Sequence, residues 1–440
     1  MIFDAIIFFN ELDLLELRLY ELDSVVDRFV IVEAPLTFSG EPKPLHYAAN
    51  EHRFASWREK IVHVVVEDMP QCADTWQRER HQRNAVIRGL HNAVPGDAVI
   101  LSDADEIPSA DAVRRWSPEL GPRRFEQICS YYWLNCVGGG WAGSRILPFC
   151  ELDRYPNLDA IRYDPFPLLE NGGWHFSFLG GPEQVIAKLE AYSHSELNLD
   201  RYKDPKYLAI VMNLGIDIFG RSDTHWSFYP LDDRFPQALR DHPERFSHLC
   251  RDVMFHENWY PDDQILRLVA AYDPAHELDG AVVEFGCWEG KSTIAIAHAC
   301  HPDPVIAVDT WAGNESEDVD HVTVHLARKR DVLAQFKRNI EVLTCGNVIV
   351  RPSSLADFAD SWSGPIKFAH IDASHEYRSV YRAIQFCLDW LVPGGVLCGD
   401  DFLSADISRV DLDGGVERAV RELLPGFQQA HNFWSWQKTA

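Results

Sequence analysis

Short, wholly apolar runs alternate with helical patterns along this chain, and the alternation occurs in two separate blocks. A brief apolar run bounded by turn residues reads as a strand buried on both faces, and strands that alternate with helices imply largely parallel sheets. In the first block the strand candidates are Ala5–Phe9, Phe29–Glu33, Ile61–Val66 and Ala98–Ser102. Between them lie an amphipathic helix, Leu12–Asp23, and an Arg-dense helix, Trp76–Leu90. Residues 123–178 are rich in Gly, Pro and aromatic residues, as suits strands and loops that shape a pocket. The pattern starts afresh near residue 260 with a helix, Gln264–Tyr272. Strand candidates follow at Ala281–Phe285, Val305–Val308, Val348–Val350, Phe368–Ile371 and Val396–Cys398. A chain of 440 residues is too long for one ordinary core. The expectation is an α/β protein of two domains, 1–250 and 251–440, divided in the stretch Leu249–Pro261. The acidic run Glu315–Asp320 reads as a solvated loop.

Charge and cysteine usage exclude several function classes. A formal net charge of -26 argues against nucleic acid or an anionic membrane as partner, because both select a basic face. The 10 Cys include no CxxC pair, which favours buried reduced thiols over a zinc site. No basic segment precedes an apolar run at the N-terminus, where Ile2–Phe9 already reads as a core strand. No apolar run approaches the ~20 residues a membrane span requires. A cytoplasmic location without an integral membrane segment is the expectation.

The sharpest chemical signal is Val99-Ile100-Leu101-Ser102-Asp103-Ala104-Asp105-Glu106-Ile107-Pro108. An apolar strand ending in Asp-x-Asp sets two carboxylates at the carboxyl edge of a parallel sheet, where ligands of open α/β sheets bind. Such oxygen ligands can hold Mn²⁺ or Mg²⁺, which would neutralise the diphosphate of a sugar nucleotide. The pair could equally cap a turn.

With Asp4–Glu16, Val30–Ala34, Thr37–Gly40, Lys43–Leu45 and Gln82–Ala85, this motif resembles glycosyltransferase family 17 over roughly residues 1–250. The resemblance implies a GT-A-like fold, inverting chemistry and a UDP-sugar donor, with N-acetylglucosamine as the transferred sugar. On that footing Asp103 and Asp105 hold metal and diphosphate, and Glu33 contacts the nucleoside. Arg83 and Asn84 steady the nucleotide, with a surface ion pair as the competing reading of Arg83. Downstream, Gly172–Glu183 and Ala191–Glu196 also match the family. An inverting transferase needs one carboxylate base, and Glu183 is the candidate, against a plain helix N-terminal role. His194 or His175 is expected to complete the metal or diphosphate site.

In the second block, Val282-Val283-Glu284-Phe285-Gly286-Cys287-Trp288-Glu289-Gly290-Lys291-Ser292-Thr293 reads as strand, glycine turn and helix start. A P-loop needs four residues between its first Gly and Gly-Lys-Ser/Thr, whereas Gly286 and Gly290 enclose only three. A dinucleotide fingerprint needs glycine where Trp288 stands. An S-adenosylmethionine site has no pyrophosphate to cradle and wants an acid after the second strand, which Asp309 supplies. Ser353 then falls where the adenine is contacted. With His370–Tyr377 and Pro393–Phe402, residues 260–440 resemble class I, Rossmann-like methyltransferases related to macrocin-type sugar O-methyltransferases. The resemblance implies cofactor binding by Glu284, Gly286, Gly290 and Asp309, and Mg²⁺ held by Asp372, Asp400 and Asp401. His375 or Asp372 would take the acceptor proton, although Ser374 stands where the family pattern has a second Asp.

The combined expectation is a bifunctional enzyme that adds a sugar to, and O-methylates, a surface polysaccharide or glycolipid acceptor. The competing reading is a methyltransferase carrying an inactive carbohydrate-binding module, against which the intact Asp103/Asp105 pair speaks.

Overall fold

The computed structural model describes residues 1–72, 74–221, 224–313, 322–403 and 414–439. The acidic run Glu315–Asp320 lies outside the described residues. The chain divides into two compact units, one of residues 1–208 with 217–251, the other of residues 209–216 with 252–440. The short stretch 209–216 thus clusters with the later residues, which the linear reading did not anticipate. All ten cysteines are free thiols. No helix among the described residues is long and apolar enough to cross a membrane.

The first unit is built on strands β1 (Ile2–Phe8), β2 (Arg28–Glu33), β3 (Ile61–Val65), β4 (Ala98–Asp103) and β5 (Glu106–Pro108). Then come β6 (Arg123–Tyr131), β7 (Cys136–Trp141), β8 (Arg145–Pro148), β9 (Leu168–Ser177) and β10 (Ser227–Phe228). Strands β3, β2, β1 and β4 are neighbours in that order, and all are parallel. Beyond β4 the sheet turns antiparallel through β8, β6 and β7, while β9 runs parallel to β6.

The parallel strands are apolar throughout because both of their faces are covered. Ile6, Phe8, Phe29 and Ile31 pack on one side with Leu15 and Leu19 of the helix Leu12–Leu22. Their neighbours Phe3, Ala5, Val30 and Val32 pack on the other with Val86 and Leu90. The helix expected over Trp76–Leu90 is α-helical only from Thr75 to Asn84 and tightens to a 3-10 turn over Ala85–Gly89. At Gly89 the backbone runs against Val30, whose Cγ1 would lie 2.3 Å from an added Cβ.

Asp4 brings a charge inside this apolar layer. Asp4 of β1 is 1% exposed, and the fully buried Arg18 matches it with Nε–Oδ2 2.6 Å and Nη2–Oδ1 2.5 Å. The remaining donor, Nη1, reaches the Glu106 carbonyl at 2.5 Å and the Asp103 carbonyl at 3.4 Å. Arg18 therefore ties the Asp-x-Asp turn to the sheet.

The second unit holds β11 (Ala281–Phe285), β12 (Val305–Asp309), β13 (Val348–Pro352), β14 (Ile366–Ile371), β15 (Leu391–Gly399), β16 (Gln428–Ala430) and β17 (Phe433–Gln437). Their spatial order is β13-β12-β11-β14-β15-β17-β16. The first five are parallel and β17 returns antiparallel to β15. This is the Rossmann-like arrangement of class I methyltransferases, with its reversal of strand order between β11 and β14. Ligands of such sheets bind beyond the carboxyl ends at that switch point. Gly286, Asp309, Ser353, Asp372 and Asp400 all stand at these ends.

The Arg18→Met chain should expose how much the buried pair contributes. It strands the Asp4 carboxylate without a partner, at a cost of about 3–5 kcal/mol. For a unit of this size that is on the order of 10 °C in Tm. Thermal unfolding followed by circular dichroism measures it, and an unchanged transition would refute the assignment.

Candidate functional site

In the first unit, β4 ends at Asp103 and a tight turn carries Asp105 back into β5. Four cations converge on this turn. Arg83 Nη1 contacts Asp103 Oδ1 at 2.7 Å, and Arg162 Nη2 contacts Asp103 Oδ2 at 3.1 Å. Arg162 also forks onto Glu106, at 2.9 and 3.1 Å. Lys188, on the helix Pro182–Ala191, sets its Nζ 2.6 Å from Asp105 Oδ2, and His175 Nε2 lies 3.6 Å from the same oxygen. Trp141 stacks on His175 with ring centroids 4.5 Å apart and donates from Nε1 to Glu106 at 2.7 Å.

The electrostatics follow from this pairing. Burial opposes ionisation of Asp105, yet Lys188 and then His175 hold its carboxyl far below the usual range. For Asp103, burial is likewise outweighed by Arg162 and Arg83. Burial would discharge His175, but Asp105 beside it raises the imidazole to about 10. Glu11, in the loop after β1, is pushed up by burial and by Asp105, with Lys188 opposing.

The expected metal set does not assemble here. Both carboxylates already carry cations at contact distance, and among the described residues Asp103, Asp105 and His175 do not bring one ligand atom each within 4.8 Å of one another.

Other expected residues are placed differently. Glu183 is exposed in the first turn of its helix, and no hydrogen bond or ion pair among the described residues joins it to the cluster. His194 is turned away, pairing with Glu196 at 2.8 Å and packing edge-on to Trp76. Glu33 is fully buried and accepts from the Tyr47 amide at 3.0 Å and His63 at 3.2 Å, so it offers no open face to a nucleoside. Asn84 accepts from the Leu158 amide at 2.8 Å, holding the helix Leu158–Tyr163 that carries Arg162. Arg83 is not a surface ion pair: it is buried among Asp103, Glu79 and Asp159. Lys188, Arg162, Glu106 and Glu11 were not singled out from sequence, although Glu106 directly follows the Asp-x-Asp pair.

In the second unit a cleft of about 980 Å³ opens at the strand ends, lined by Gly286, Trp288, Asp309, Ser353, Asp372 and His375 among others. Gly286 has φ +85°, and a Cβ there would lie 2.0 Å from the Asp372 carbonyl, so only glycine allows the first turn to cross the end of β14. Asp309 accepts from the amides of Cys287 (2.7 Å), Trp288 (3.0 Å) and Trp311 (2.7 Å). This fixes its carboxylate at the cleft wall, while burial raises its pKa. Glu284 is not in the cleft: at 0% exposure it lies inside the sheet between Thr293 and His370.

Asp372, His375 and Asp401 bring one ligand atom each within 4.8 Å of one another, with His375 Nε2 2.8 Å from Asp401 Oδ2. Asp401 reaches this position through a left-handed backbone, φ +62°. Asp400, expected as a ligand, instead faces Gln264, whose amide nitrogen, turned toward it, donates to both carboxylate oxygens at 2.6 and 2.8 Å. Burial first, then Asp400 and Asp401, raises the Asp372 carboxyl well above its ordinary range. Burial and Asp401 push Asp400 up to about 6. Two carboxylates and an imidazole whose ligand atoms lie this close together suit a divalent cation.

The family model of glycosyltransferase family 17 matches residues 1–243, and a methyltransferase-domain model matches residues 283–402. The chain is 27% identical over 284 residues to the human β-1,4-mannosyl-glycoprotein 4-β-N-acetylglucosaminyltransferase, covering 54% of this chain and 53% of the relative. The rat enzyme of the same name is 27% identical over 252 residues, covering 48% and 47%. The chain thus spans about half the length of the curated relatives it matches. Among solved structures, the O-methyltransferase NovP aligns at TM-score 0.32 and 17% identity, over 40% of this chain and 79% of that one. The O-methyltransferase TomG from Streptomyces achromogenes aligns at 0.31 and 17%, over 48% and 92%.

The His175–Asp105 pair yields a pH signature. A pKa of about 10 in the fold against 6.5 unfolded means that the stabilisation is fully present below pH 6.5 and lost as pH rises through about 10. Melting curves of the first unit between those limits should fall, and His175→Gln should flatten the fall. An identical slope in both chains would refute the pairing.

Proposed function

The chain belongs to glycosyltransferase family 17, and on that premise we propose that its N-terminal unit transfers a sugar from a nucleoside diphosphate donor while its C-terminal unit O-methylates a sugar hydroxyl from S-adenosylmethionine. The observation that carries this reading is the placement of two different ligand sets at the carboxyl edges of two parallel sheets. One is a carboxylate turn studded with fixed cations; the other is a glycine turn followed by Asp309, Asp372 and Asp400 at the ends of β12, β14 and β15.

In the N-terminal unit the strands β3-β2-β1-β4 with the Asp-x-Asp turn support a GT-A-like reading. The donor we assign is UDP-N-acetylglucosamine, following the sugar in the names of the relatives. In an inverting transfer the acceptor oxygen attacks the anomeric carbon, its proton passes to a carboxylate, and the bond to the diphosphate breaks. Glu11, kept above the ordinary range beside the cluster, suits the proton better than the exposed Glu183.

In the C-terminal unit Asp309 is placed to accept from the donor ribose hydroxyls, and Gly286 and Gly290 leave room for the donor against the backbone. Ser353 lines the adenine side. Asp372, His375 and Asp401 would hold a divalent cation, which when bound acidifies the acceptor hydroxyl. That oxygen takes the methyl group from the sulfonium, and its proton passes to His375 or Asp372. A carbohydrate or glycolipid acceptor in the cytoplasm completes the proposal.

Calorimetric titration of the full chain with S-adenosylhomocysteine tests the methyl-donor site. Asp309→Ala removes charge-assisted hydrogen bonds of about 1.5–3 kcal/mol, which corresponds to an affinity loss of roughly tenfold or more. Mg²⁺ should raise the Tm of the parent chain but not of Asp401→Asn. Absence of S-adenosylhomocysteine binding to the parent chain would refute the methyltransferase reading.

A further inference from the structure

Resting on the sugar-nucleotide reading above, we propose that the N-terminal donor site works without a divalent cation, and that Lys188 is the fixed cation that meets the donor diphosphate. The Asp-x-Asp pair then acts as a positioning pair: Asp105 aims Lys188, and Asp103 holds Arg162 and Arg83.

Three observations carry this. The oxygens a metal would use are already engaged, Asp105 Oδ2 by Lys188 at 2.6 Å and Asp103 by Arg83 and Arg162 at 2.7 and 3.1 Å. The partners are anchored cations rather than loose surface chains. Arg162 is clamped by Glu106, while Lys188 also reaches Ser177 Oγ at 3.4 Å and lies 5.3 Å from the centroid of the Phe178 ring. Lys188 keeps 24% of its side chain exposed, against 9% for Asp105.

During transfer the bond from the anomeric carbon to the diphosphate oxygen breaks, and its electron pair stays on that oxygen. A preorganised ammonium beside it stabilises the developing charge with no reorganisation. The acceptor oxygen forms the new bond and gives up its proton to a carboxylate.

The test is isothermal titration of the full-length chain with UDP, GDP, dTDP and UDP-N-acetylglucosamine, each in EDTA and in Mn²⁺. At least one nucleotide should bind with a Kd that agrees within about threefold between the two conditions. Lys188→Met should weaken that binding by about tenfold or more, while Lys188→Arg, which keeps the charge, should restore most of it. A retained cooperative melting transition of the N-terminal unit in the full-length chain certifies that both variants are folded there. Binding that tightens tenfold or more in Mn²⁺, or that ignores Lys188→Met, overturns the proposal while leaving the transferase reading intact. Failure of every nucleotide in both conditions overturns the transferase reading, and the proposal with it.

Discussion

A strand covered on both faces can carry a charge only at its end or against a dedicated buried partner, and this constraint organises both units. Asp4 is tolerated inside the first sheet because Arg18 matches it with two hydrogen bonds. Glu284 is tolerated inside the second because Thr293 and His370 donate to it. Every other acid of functional interest on these parallel strands, apart from the buried Glu33, is driven to the carboxyl edge, where the strand leaves its apolar cover. Arg18 joins the two halves of this logic in the first unit. The same guanidinium that neutralises the interior charge fixes the carbonyls of Asp103 and Glu106.

The two edges solve their electrostatics in opposite ways. At Asp103 and Asp105 the charge is met from within the chain by guanidinium, ammonium and imidazolium groups, and the carboxyls are held below their usual range. At Asp372 and Asp400 burial and mutual repulsion dominate, and the carboxyls are held above it. A site of the first kind presents fixed positive charge to a phosphate-bearing ligand. A site of the second kind invites a cation or a proton. One fold class thus supports two donor chemistries through the residues placed at its strand ends, not through the sheet itself.

Much of this was legible in the sequence wherever the signal is local. Both blocks of strands, the glycine turn, and the strand-end acids Asp103, Asp309 and Asp372 follow from apolar runs and what terminates them. What was not legible depends on side-chain direction or on distant partners. Glu33 and Glu284 read as acids that contact a donor, but each turns inward onto its own hydrogen-bond partners. Asp400 and Asp401 are adjacent and chemically alike, and the left-handed backbone of Asp401 decides which one joins Asp372. Lys188 meets Asp105 and Arg162 meets Glu106 across sequence separations of 83 and 56 residues, which no local pattern reports.

The claim that one chain holds two donor sites is tested most directly by calorimetric unfolding of the full-length protein with each donor in turn. A ligand that binds only the folded state raises the stability of the unit that binds it. UDP-N-acetylglucosamine and S-adenosylmethionine should each produce a stabilisation of its own, the first through the N-terminal unit and the second through the C-terminal unit. Stabilisation by S-adenosylmethionine alone, with no response to any sugar nucleotide, would contradict the claim and leave the N-terminal unit as a carbohydrate-binding module.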